Sequence, residues 1–175
     1  MLLLYPGSAP AQSTFARTRV SISGGMAWYK SAGDAFGAYG VQGGISVQWQ
    51  DRPSAVAVQI DARGYSLGFG RSEYDAGFIW PPISNVPPRG LMSLQVGLLT
   101  PADRIPIRAR LGLGLYFPTD QPATNATTHF GVEAALRFPL SPPGRGAYFE
   151  VGYAVLYNGS GQRGSLVPVG IGYTF

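Results

Sequence analysis

From Val167 to Phe175 the chain places a bulky apolar residue at every second position. Side chains alternate across a strand, so Val167, Val169, Ile171, Tyr173 and Phe175 share one face. Pro168, Gly170, Gly172 and Thr174 share the other. A ribbon with volume on one side and almost none on the other suits a barrel wall. What constrains this chain most is that the pattern occurs eight times.

The first segment, Arg17 to Lys30, sets Val20, Ile22, Met26 and Trp28 against Ser21, Ser23, Gly25 and Ala27. The second, Phe36 to Gln50, sets Tyr39, Val41, Ile45, Val47 and Trp49 against Gln42, Gly44, Ser46 and Gln48. The third begins at Ala55 and alternates Val56, Val58 and Ile60 with Ala57, Gln59, Asp61 and Arg63. Past Gly64 the bulky set becomes Tyr65, Leu67 and Phe69, so a bulge is expected near Gly64. In the fourth, Met92, Leu94, Val96 and Leu98 oppose Ser93, Gln95 and Gly97. The fifth opposes Ile107, Ala109, Leu111, Leu113, Leu115 and Phe117 to Arg108, Arg110, Gly112, Gly114 and Tyr116. In the sixth, Phe130, Val132, Ala134, Leu136 and Phe138 face away from His129, Gly131, Glu133 and Arg137. The seventh sets Phe149, Val151, Tyr153, Val155 and Tyr157 against Glu150, Gly152 and Ala154. Tight turns by composition follow the second, fourth and sixth segments: Asp51-Arg52-Pro53-Ser54, Pro101-Ala102-Asp103-Arg104 and Ser141-Pro142-Pro143-Gly144. Connections after the odd segments are mostly longer, including Gly70 to Arg89 and Asn158 to Gly164. The expected fold is all-β: an eight-stranded antiparallel up-and-down transmembrane β-barrel over 17–175.

Alternation does not say which face points inward. An eight-stranded barrel has an interior just wide enough for side chains to fill, which suits the Gly, Ser, Ala, Gln and Arg set. A water-facing wall of Gly and Ala would be poorly solvated and would weaken the strands. The apolar face is therefore expected to meet lipid. Charged residues amount to 13%, about half the usual globular share, and the one lysine is Lys30. Aromatic residues fall near strand ends: Trp28, Tyr39, Phe117, Phe130 and Tyr157 toward one rim, Trp49, Phe138, Phe149, Tyr173 and Phe175 toward the other. Two such girdles are expected at membrane interfaces.

Composition excludes several classes. No apolar run approaches the ~18 residues of a spanning helix. The net charge of +4 comes from scattered arginines, not from a basic cluster for nucleic acid. There is no cysteine for disulfide or thiol chemistry. Leu2-Leu3-Leu4-Tyr5 followed by Ala9-Pro10-Ala11 reads as the remnant of a signal peptide over 1–11, with 12–16 as an N-terminal tail.

The inward set carries Asp61, Arg63, Gln95, Arg108, Arg110, Glu133, Arg137 and Glu150, with Gln42, Gln59 and His129. Buried charges must be paired or hydrated. A roughly symmetric turn at 141–146 puts Arg137 across from Glu150, and Asp61 and Glu133 can answer the other arginines. A salt-bridged plug is expected, with a narrow arginine-lined pore as the alternative. His129 lacks a nucleophile or carboxylate within reach, since Glu133 is ~13 Å along the same strand. No catalytic, cofactor or metal site is expected.

The eight segments, the Ala-x-Ala-like leader and the terminal Tyr173-Thr174-Phe175 resemble the small outer-membrane β-barrel proteins of Gram-negative bacteria. The resemblance implies an outer-membrane location among lipid and lipopolysaccharide, and a monomer. It also implies that Val169, Ile171, Tyr173 and Phe175 form the signal read by the barrel-assembly machinery. With no further domain expected after the barrel, peptidoglycan anchoring is not implied. The resemblance leaves the role open among structural or adhesin-like contact, a small channel and lipid A modification, and a soluble ligand-binding barrel with exchanged faces is a fourth reading. A non-enzymatic surface role is the leading expectation, with Phe78 and Trp80 in the 70–89 connection as the candidate contact.

Overall fold

The computed structural model describes residues 17–32, 37–52, 54–69, 88–101, 106–119, 128–141, 146–158 and 161–175. They form eight strands: β1 (Arg17–Ser31), β2 (Gly37–Gln50), β3 (Ala57–Phe69), β4 (Gly90–Leu99), β5 (Arg108–Pro118), β6 (His129–Pro139), β7 (Gly146–Asn158) and β8 (Gly161–Thr174). Each pairs antiparallel with its sequence neighbours, and β1 closes the barrel on β8 through a ladder from Ser21↔Thr174 to Ser31↔Gly164. Closure leaves no open edge, so the backbone can satisfy its hydrogen bonds within the wall. The shortest strand, β4, has 10 residues and the longest, β1, has 15. All are long enough to cross a bilayer, which takes about 9–11 tilted residues.

The bulky face is the outer one. On β5, Leu111 is 62% exposed whereas the adjacent Arg110 is 2% exposed. Val20, Ile22, Ile45, Leu94, Leu113 and Ile171 are exposed in the same way around the circumference. Both aromatic rims lie on this surface. Trp28 and Tyr39 are paired across β1 and β2, and Phe130 and Tyr157 across β6 and β7. At the other end Phe138 and Phe149 lie 6.0 Å apart by ring centroids, and Tyr173 meets Phe175 edge-on at 5.0 Å. The end that carries the 70–89 and 119–128 connections is the loop end, and the opposite end is the turn end.

Two expectations are corrected. β3 has no bulge at Gly64, which pairs in unbroken register with Gly43 on β2 and Met92 on β4. Alternation runs straight through it, so Tyr65 and Leu67 point into the lumen, at 4% and 0% exposure. The register shift comes later, where Tyr39 pairs Phe69 but Val41 pairs Ser66. It sits at Gly40, where an added Cβ would fall 1.7 Å from the Ser66 carbonyl oxygen. Any side chain there would collide with backbone. The connection after β7 is also shorter than expected: Asn158 already pairs with Gly161, whose φ of +118° suits glycine in a tight reversal. Loop asymmetry therefore rests on the 70–89 and 119–128 connections alone.

Glycines on the inner face make room for rings. A Cβ on Gly172 would lie 2.3 Å from the Tyr148 ring, and one on Gly131 2.3 Å from the Tyr116 ring. Gly172→Val therefore forces Tyr148 out of place, and overpacking of this kind costs about 1–3 kcal/mol. Urea unfolding in vesicles is expected to show that loss, while Gly64→Ala, whose Cβ would meet nothing within 4 Å, stays near wild type.

Candidate functional site in the barrel lumen

The inner face brings residues from five strands into one buried network. Asp61 and Arg63 come from β3, Gln95 from β4, Arg110 from β5, Glu133 and Arg137 from β6 and Glu150 from β7. Arg110 is enclosed on every side. Its Nη1 donates to Asp61 Oδ2 at 2.5 Å, and its Nη2 to Gln95 Oε1 at 2.9 Å and to Glu133 Oε1. The Tyr116 hydroxyl donates to Glu133 Oε2 at 3.1 Å and accepts from Gln95 Nε2 at 3.1 Å. Gln59 Nε2 donates to the remaining Asp61 oxygen at 2.7 Å.

Arg63 ties this group to the next. Its Nη2 reaches Glu150 Oε1 at 2.6 Å and lies 3.6 Å from Asp61, while Nη1 lies 3.7 Å from Glu133. Arg137 and Glu150 are directly opposed on β6 and β7. Arg137 donates from Nε at 3.1 Å and Nη2 at 2.8 Å to one Glu150 oxygen, and its guanidinium stacks 4.0 Å over the Tyr148 ring. Three cations thus face three carboxylates. The surplus desolvation cost of each ion is offset only because nearly every oxygen has a donor.

Above this layer, toward the loop end, the lumen is apolar. Tyr29, Tyr65, Leu67, Leu91, Tyr116, Leu156 and Leu166 are buried there with Ala27, Ala38 and Ala154. Sequence reasoning missed the contribution of Tyr65 and Leu67 because it equated bulk with the outer face. It also passed over Tyr148. For Tyr148 the available signal was Gly172, whose missing side chain leaves room for the ring.

Arg108 stands apart from the network. Its Nε donates to the Thr100 carbonyl at 2.8 Å and its Nη1 to Gln48 Oε1 at 3.4 Å, and no carboxylate pairs with it among the described residues. His129 is half-buried at the loop end, opposite Tyr116. Among the described residues, no group of three or more His, Asp and Glu is placed to hold a metal. Val169, Ile171 and Tyr173 lie on β8, with Ile171 and Tyr173 well exposed and Val169 half-buried. Phe175 follows the strand and donates its backbone N–H to the Val20 carbonyl. Phe78, Trp80 and segments 1–11 and 12–16 lie outside the described residues.

No protein-family model matches the sequence, and no curated protein matches it. Its fold has counterparts among solved structures. Neisserial surface protein A superposes with a TM-score of 0.53 at 15% identity, covering 90% of this chain and 95% of that one. Ail, the attachment invasion locus protein of Yersinia pestis, gives 0.53 at 16% identity, covering 90% and 98%. The N-terminal β-barrel domain of Pseudomonas aeruginosa OprF gives 0.50 at 13% identity, covering 90% and 97%. At such identities what is shared is the fold. The closed antiparallel wall and its continuous apolar belt give this chain the fold of a transmembrane eight-stranded β-barrel of the outer-membrane type.

Proposed function

We propose that the protein is a blocked, non-enzymatic barrel that serves as a rigid platform for contacts at the bacterial surface. One observation carries this reading: the lumen is closed twice. A layer of tyrosine and leucine side chains sits above a cross-braced set of arginines and carboxylates. A solute would have to displace both, and an ion would have to cross a packed layer of tyrosine, leucine and alanine side chains. In this reading the loop end faces outward, since outer-membrane barrels keep short turns on the periplasmic side.

Ail, an attachment protein by name, is also solved with the heparin analogue sucrose octasulfate. The same barrel can therefore present a contact surface, although fold alone does not assign one. Here the contact is assigned to the 70–89 connection with Phe78 and Trp80, its partners being lipopolysaccharide or another surface molecule. Val169, Ile171, Tyr173 and Phe175 present the assembly machinery with its terminal strand, and the barrel acts as a monomer.

Planar-bilayer recording tests the blocked lumen. Wild-type protein is expected to give no conductance steps at either polarity; steady single-channel events would favour the narrow-channel alternative. The surface contact has its own readout. With Trp28→Phe and Trp49→Phe, Trp80 is the only remaining tryptophan of three. Its emission is expected to shift to the blue when lipopolysaccharide is added to vesicles holding the protein. Unchanged emission would remove lipopolysaccharide as the partner.

A further inference from the structure

The turn end of the lumen holds a cavity of about 50 Å³ lined by Arg19, Gln48, Arg108, Arg137, Tyr148 and Thr174, among others. One ordered water needs ~10–15 Å³, so there is room for a tetrahedral oxyanion. Among the described residues, three arginines line it and no acidic side chain does.

Among the described residues, no carboxylate balances Arg108 in this cavity. Arg108 and Arg137 are directly opposed on β5 and β6, and like charges in that relation are destabilising. Arg137 is balanced by Glu150, which takes its Nε and Nη2 but not its Nη1. Among the described residues Arg108 has only neutral acceptors, a carbonyl and a glutamine oxygen, and its buried Nη2 has no hydrogen-bond partner. A buried guanidinium donor left unmatched is costly. On the far wall Arg19 is paired in register with Gln48, and Gln48 is the residue that reaches across the lumen to Arg108.

We propose that this cavity is a phosphate-binding site at the turn end of the barrel, with Arg108 as its principal ligand and Arg137 and Arg19 completing it. Phosphate carries about −1.5 to −2 charges at pH 7 and accepts the forked donors of guanidinium groups. It would satisfy the Arg108 Nη2 and remove the repulsion between β5 and β6. The phosphate belongs either to a free solute or to a phospholipid headgroup reaching over the rim; both offer the same oxygens. Occupancy would lock the floor of the barrel by fixing Arg108 against Arg137. This site does not depend on the surface role proposed above.

The test is an NMR titration of arginine Nε–Hε resonances with inorganic phosphate, using the full chain folded in neutral maltoside micelles at constant ionic strength. Saturable shifts at Arg108 and Arg137 are expected. Arg108→Gln is expected to weaken binding at least tenfold, Arg108→Lys less, and Arg52→Gln, at the exposed 51–56 turn, not at all. In nanodiscs, a headgroup ligand would make phosphatidylglycerol shift the same resonances and blunt the phosphate titration; a free ligand would leave the titration as in micelles. Resonances that do not move with phosphate would overturn the proposal. So would a folded Arg108→Gln variant that titrates like wild type.

Discussion

Arg110→Met is expected to lower the unfolding free energy in vesicles by about 3–5 kcal/mol, the cost of removing one partner from a buried ion pair. Among the described residues, Arg110 is the one cation in contact with both Asp61 and Glu133 at hydrogen-bonding distance. Methionine fills much of the volume but leaves two carboxylates to share Arg63, which lies 3.6–3.7 Å from them. The loss should therefore come from charge. Adding Glu133→Gln to Arg110→Met is expected to recover a large part of it, because a neutral amide can still accept from the Tyr116 hydroxyl. Urea titration followed by tryptophan fluorescence checks both. A double variant no more stable than the single would mean that packing, and not the ion pair, holds this layer.

Leu113→Arg is the second large effect. Leu113 is central in β5, half-exposed on the outer face and paired with Val96 and Val132. An arginine facing lipid near the bilayer midplane costs about 2–4 kcal/mol, falling to about 0–1 near the interfaces. Leu140, 63% exposed just beyond β6 at the turn end, is the internal control. Leu140→Arg should therefore fold and unfold nearly as wild type in the same vesicles. Were the outer face in water, the two substitutions would be equally harmless.

The strands were legible because bulk and smallness alternate with period two, and most boundaries fall within a residue or two of those read from the pattern. β3 was legible only as far as Gly64. Beyond it Tyr65 and Leu67 keep their phase and face inward, because the loop end of the lumen is filled by apolar rings instead of charges. No sequence rule that assigns bulk to the lipid side can see this. Among the ion pairs, Arg137 with Glu150 could be inferred from the turn joining their strands. Arg63 with Glu150 could not. Those residues sit on β3 and β7, which are not neighbours in the wall, and meet only because a narrow barrel brings opposite sides together. Arg108 looked like one more network member by parity; its height, opposite Arg137 at the end of β5, is what isolates it from the carboxylates.

The central claim is that the belt of valine, leucine and isoleucine side chains is solvated by hydrocarbon. Dilution from urea into phosphatidylcholine vesicles, followed by density flotation, tests it directly. The barrel is expected to float with the vesicles and to precipitate when diluted into buffer alone. A folded, monodisperse chain that stays at the bottom of the gradient, and that is equally stable with no lipid present, would contradict it.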